Sequence, residues 1–238
     1  MGPQAGTTND PIMLRRRTAL FGLLLLVPAP SIGVGAEMVW FPGALGLLVL
    51  AATKVWIFAF PVAWTFFVEA RPVARPRPSA TGLGLGIASG LLGAAVVVLA
   101  YTYALRERID PAAIREMARA NHLLTPVAYL SVAAYICAAN SLLEEYVWRW
   151  FVFGRLEQLC PRPLAVILAA AAFTLHHSVI LATQFGAEIC VVGSLAVFVA
   201  GVTWSWIYAR TRSIWSAWIS HALIDVAVFW VGWDLLFV

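Results

Sequence analysis

Read for its alternation of apolar and polar positions, the chain is a series of long apolar runs separated by short polar stretches. The runs lie at 18–36, 42–68, 81–104, 124–154, 163–184, 188–209 and 213–237. Each is long enough to cross a hydrocarbon core of about 30 Å at about 1.5 Å per residue. A spanning segment must satisfy its own backbone hydrogen bonds, and these lengths exceed those of barrel strands, so the runs predict helices. The fold class expected is all-α, a polytopic membrane helical bundle of about seven transmembrane helices. Residues 1–14 are polar with Gly and Pro and predict disorder. The stretch "EARPVARPRPSAT" predicts a Pro- and Arg-rich turn. In "RERIDPAAIREMARANH" the Asp-Pro start suits a short amphipathic helix at the membrane interface.

Composition sharpens this picture in one respect. Only 12% of residues are charged and 62% are hydrophobic, whereas a soluble domain carries about a quarter charged residues. A water-soluble enzyme is excluded. The net charge of +4 is then a matter of membrane orientation rather than of nucleic-acid binding, and no nucleic-acid partner is expected. With the N-terminus in the cytoplasm, one side holds Arg15–Arg17, Arg71, Arg75, Arg77, Arg155, Arg162, Arg210 and Arg212. The other side holds Arg106, Arg108, Arg115 and Arg119, all in one loop with three acids. The bias places the N-terminus inside and the C-terminus outside. The stretch "RRRTALFGLLLLVPAPSIGVGA" resembles a signal peptide, even a twin-arginine one, but with further spans behind it the plainer expectation is a first span or signal anchor. Cys137, Cys160 and Cys190 show no paired spacing and read as small apolar residues. Three parts result: a cytoplasmic tail at 1–17, helices and an interfacial connector at 18–123, and a membrane core at 124–238.

That last part contains charges that lipid should not tolerate. A charged side chain at a helix centre costs on the order of 3 kcal/mol, yet Glu144, Glu145, Arg149, His176, His177, His221 and Asp225 all fall inside the last four spans. Glu145 and Arg149 are four apart and share a helix face, so they can pair. Glu144 is about 100° round the helix, where the same arginine cannot easily neutralise it. A spare carboxylate in a low-dielectric site can act as a base near neutral pH if water is within reach. His176 and His177 point in different directions. Phe173 lies one turn before His177, giving that face a bulky aromatic, while His176 reads as a hydrogen-bonded packing residue. His221 and Asp225 are one turn apart, a spacing at which the carboxylate can orient the imidazole. From the cytoplasmic helix ends, His221, Asp225, His177 and Glu144 lie at depths of roughly 12, 18, 21 and 15 Å. Groups on three helices are therefore expected at one level near the bilayer middle.

"EEYVWR" fits EExxxR, "FTLHH" fits FxxxH, and "HALID" fits His-x-x-x-Asn or Asp. In this order on successive late helices they resemble the motifs of the CAAX protease and bacteriocin-processing (CPBP) superfamily of intramembrane proteases, over residues 124–237. The resemblance implies a helical membrane fold and peptide-bond hydrolysis by a glutamate-activated water. Carried over, Glu144 is the base, His177 holds the water, and His221 with Asp225 stabilises the oxyanion. Glu145, Arg149 and Phe173 shape the site. The best-known prenyl-protein proteases have Asn where this chain has Asp225. An ionised Asp cannot donate to an oxyanion, so Asp225 either carries a proton or orients His221.

No metal or other cofactor is expected, although two histidines, a glutamate and a water are also a catalytic zinc set. The expected substrate is a membrane-anchored peptide or protein, cut near its C-terminus at a sorting signal or a CAAX-like end. The expected location is a cell membrane, the inner membrane of a bacterium on the Ala, Arg and Trp richness. Two other functions compete: a non-enzymatic peptide-binding or immunity-type membrane protein, and a proton-coupled transporter, which would call for repeated halves and broken helices.

Overall fold

The computed structural model describes residues 11–72 and 77–238. Seven helices are long and apolar enough to cross a membrane, and no strand occurs among the described residues. They are α1 (Pro11–Trp40), α2 (Ala44–Val68), α3 (Ala80–Arg108), α5 (Pro126–Leu159), α6 (Arg162–Gln184), α7 (Ala187–Thr211) and α8 (Ile214–Phe237). The short α4 (Pro111–Ala120) is the amphipathic connector helix expected from the sequence. Asp110 caps it, accepting from the Ala112 amide at 2.8 Å. Ile114 and Ala118, one turn apart, are its buried face. Ordered helix begins at Pro11 rather than near residue 18, so Pro11–Leu14 are its first turn, not disordered tail. Residues 1–10 and Arg75 lie outside the described residues.

The chain forms two compact units, interleaved in sequence. One comprises residues 1–75 and 147–202, the other residues 76–146 and 203–238.

In the first unit, the ends of α2 and α5 are joined by a buried ion pair. Arg155 donates through Nε and a terminal nitrogen to the Glu69 carboxylate at 3.1 and 2.8 Å and to Thr65 Oγ1 at 2.5 Å. Its guanidinium lies 4.0 Å over the Phe151 ring. Such a pair is tolerated in an apolar interior because charge and hydrogen-bonding needs are met together. Gly201 on α7 comes within contact distance of Ala170 on α6, where an added Cβ would be 3.2 Å from the Ala170 Cα.

In the second unit, α3 lies along α8 as the most extensive helix pair. Gly82, Gly86 and Gly90 recur every fourth residue on the α3 face that meets α8. A Cβ at Gly86 would collide with the Ser216 carbonyl, and one at Gly90 would lie 2.9 Å from the Ser220 Cα. Small residues let two backbones approach where lipid offers no hydrophobic drive. Ser220 immediately precedes His221, so this packing fixes the depth of that imidazole. The turn Arg212–Ser213, with Arg212 at φ 53°, reverses the chain between α7 and α8. Trp204 and His221 lie equally far from it along the two helices and meet.

Candidate active site

Helix α5 is not a regular α-helix where it carries the glutamates. The α-helical turn Ser141–Glu145 is flanked by wide π-helical turns at Ile136–Asn140 and Tyr146–Phe153. Wide turns of this kind skip to i→i+5 bonding and are common at functional sites. Asn140, at the end of the first wide turn, donates from Nδ2 to Glu144 Oε1 at 2.9 Å. This holds one oxygen of Glu144 and leaves the other to face His221.

In the second unit the structure brings Glu144, Glu145, His221 and Asp225 together. His221 Nδ1 bonds Glu145 Oε1 at 2.8 Å, and both side chains are buried. A carboxylate only accepts, so Nδ1 carries the proton. His221 Nε2 faces Glu144 Oε2 at 3.6 Å and Asp225 Oδ2 at 3.7 Å. The indole of Trp204 stacks on the imidazole at 3.9 Å with 16° between planes. Trp204 Nε1 donates to Ser220 Oγ at 3.0 Å, and Ser89 on α3 donates to the same oxygen at 2.9 Å. The ring of His221 is thus fixed at one nitrogen, on one face and through its backbone neighbour.

This arrangement reassigns one partner. The i,i+4 spacing made Asp225 the residue to orient His221, but 3.7 Å is beyond a direct hydrogen bond. Glu145 is the orienting carboxylate, from a helix far away in sequence. Trp204 and Asn140 belong to the site although no motif contains them. Asn140 had a readable signal, an Asn four residues before Glu144; the stacking of Trp204 had none.

In the first unit, Arg149 is fully buried. Its guanidinium sits 4.8 Å over the Phe173 ring and donates to the Gly201 carbonyl at 3.4 Å. Phe173 meets the His177 ring at 4.4 Å. His177 Nδ1 is 3.1 Å from the Phe173 carbonyl; a carbonyl only accepts, so this nitrogen is the donor and Nε2 the acceptor. His176 is buried and stacks on Trp148 at 5.4 Å and 7°. Its Nδ1 has no hydrogen-bond partner among the described residues.

The donors gathered around His221, an imidazole nitrogen and carboxylate oxygens, are also atom types that zinc accepts. The geometry joins a held carboxylate, an oriented imidazole and a second acid between α5 and α8.

No curated protein and no solved structure matches the chain. Residues 126–227 match a family described as Type II CAAX prenyl endopeptidase Rce1-like. The matched segment contains Glu144, Glu145, Arg149, Phe173, His177, His221 and Asp225. Through this segment the chain is similar to the Rce1-like type II CAAX prenyl endopeptidases, a family of proteases, and its seven long apolar helices make it a multi-pass membrane protein.

Proposed function

We propose that the protein is an intramembrane endopeptidase that uses Glu144 to activate water and cuts near the C-terminus of membrane-anchored proteins. The observation that carries this reading is the triad of side chains in one unit: Glu144 Oε2 lies 3.6 Å from His221 Nε2, and His221 Nδ1 is held by Glu145 at 2.8 Å. Amide hydrolysis needs an activated water, oxyanion stabilisation and a proton for the leaving amine. Glu144 takes a proton from water as its oxygen attacks the scissile carbonyl. His221, with Nδ1–H held by Glu145, carries a second proton on Nε2 and donates it as a hydrogen bond to the oxyanion. Glu144 then returns its proton to the departing nitrogen as the C–N bond breaks.

His177 comes to this reading through the FxxxH motif. Its Nδ1–H is committed to the Phe173 carbonyl, so Nε2 suits accepting a proton from a bound water. Asp225 faces the Nε2 side of His221 at 3.7 Å. Arg149, over Phe173, fixes the aromatic that carries His177. The substrate class is a hydrophobic C-terminal sorting signal or a CAAX-like end. The location is a cell membrane with the N-terminus cytoplasmic, on the arginine bias.

A zinc-dependent variant of the same hydrolysis, in which bound metal would supply an acidified water, is the alternative chemistry for imidazole and carboxylate donors of this kind. One experiment separates these readings. Wild type and Glu144→Gln, purified in detergent, are given membrane-anchored peptides with prenylated CAAX ends, free CAAX ends or sorting-signal helices, with and without chelator. Cleavage lost by roughly 10²–10⁴-fold in Glu144→Gln and indifferent to chelator supports the glutamate mechanism. Cleavage abolished by chelator and restored by zinc moves the reaction to the metal. A folded wild type that cuts none of the peptides, while Glu144→Gln still performs the cellular function, makes the protein a binding or immunity module.

A further inference from the structure

Away from the acids and histidines, the first unit has a second polar feature, at one end of its helices. A cavity of about 360 Å³ opens there between the starts and ends of α1, α2 and α5. Arg15, Thr18, Arg71 and Gln158 supply its polar lining. Arg15 is steadied by a hydrogen bond from Nε to Gln158 Oε1 at 3.1 Å. The carboxylate on the wall, Glu69, is committed at both oxygens to Arg155. Neither Arg15 nor Arg71 has an ion-pair partner among the described residues. Among the described residues, the cavity therefore presents two guanidinium groups without an ion-pair partner.

Its depth and its apolar rim say what sort of anion belongs there. On α1 the apolar run begins just after Arg15–Arg17, and on α2 it ends at Val68, so the cavity lies where hydrocarbon gives way to headgroups. Leu14 and Val68 line it and are 62% and 51% exposed. A soluble phosphate has no use for such a wall, whereas the first carbons of an acyl chain do. Guanidinium groups match phosphodiester oxygens in geometry as well as charge. We infer that this cavity is a binding site for an anionic phospholipid headgroup, with Arg15 and Arg71 on the phosphate and Leu14 and Val68 against the acyl chain.

The test is native mass spectrometry of the whole chain in detergent, titrated with phosphatidylglycerol, phosphatidylcholine or inorganic phosphate. Wild type should retain phosphatidylglycerol in preference to phosphatidylcholine. Arg15→Gln and Arg71→Gln should each weaken that retention about five-fold, and the double variant about thirty-fold. Arg17→Gln, which removes the same charge outside the cavity, should leave it unchanged. Thermal unfolding without added lipid checks that the variants are folded; if Arg15→Gln fails that check, Arg71→Gln decides the matter. Equal loss in Arg17→Gln would reduce the effect to general surface charge and overturn the site. So would full retention by folded Arg71→Gln, or competition by inorganic phosphate as effective as the lipid.

Discussion

His221 is the residue whose surroundings say most about what this protein does. Its ring is tied at Nδ1 to Glu145, covered by Trp204 on one face, and opposed at Nε2 by Glu144 and Asp225. Each tie has its own expected consequence. Glu145→Gln keeps an acceptor for Nδ1–H but removes the charge that supports the imidazolium. Peptide cleavage should fall on the order of a hundredfold or more, with the folded fraction little changed. Trp204→Phe keeps a ring on His221 and loses the bond to Ser220, while Trp204→Leu loses both. About 1 kcal/mol of aromatic packing predicts a roughly five-fold loss of kcat/KM for Leu beyond that for Phe. A Phe variant as impaired as Leu would show that the indole N–H, not the stack, is what matters. Asp225→Asn gives the position a hydrogen-bond donor and breaks no direct bond, so activity should stay within about tenfold, whereas Asp225→Ala should lose more.

These residues were unequally legible. Glu144, Glu145, Arg149, His177, His221 and Asp225 could be named from the sequence because ionisable groups in apolar helices need a reason to be there. Their pairing could not. Glu145 and His221 are 76 positions apart, and a helical-wheel argument sees only neighbours within one helix. The local i,i+4 rule therefore gave His221 to Asp225, while the tertiary packing gives it to Glu145.

At the level of elements, the apolar runs located all seven long helices to within a few residues except at the start of α1. The irregular turns in α5 were not legible, because no Pro or Gly marks them. Nor did hydropathy distinguish the α3 face that meets α8, since Gly, Ala and Leu score alike as apolar. The glycine spacing is the missing signal. Its importance is measurable: Gly86→Val forces a side chain into the Ser216 carbonyl and should cost roughly 1–3 kcal/mol, lowering the unfolding midpoint in detergent. Gly84→Ala, with open space around its Cβ, should leave the midpoint unchanged. Because Ser220 sits on the contact, Gly90→Val should also depress cleavage in whatever fraction remains folded.

For the whole molecule, the arginine bias predicts that the two ends of the helical array face opposite sides of the membrane. A phosphatase fused after Val238 should be active outside the cytoplasm, and a fusion in the Arg71–Arg77 turn inactive. The opposite pattern would reverse the assignment of every loop. Interleaving has a further consequence, in time rather than in space. The glycine face of α3 is made early, but α8, which covers it, is made more than a hundred residues later. At about 5–20 residues per second, α3 spends many seconds in the bilayer with its seam against lipid or against an insertion factor. His221 and Asp225 arrive only with that last helix. A nascent chain is thus without its oriented imidazole until α8 has left the ribosome, so on the proposed reading hydrolysis cannot start while the chain is being built.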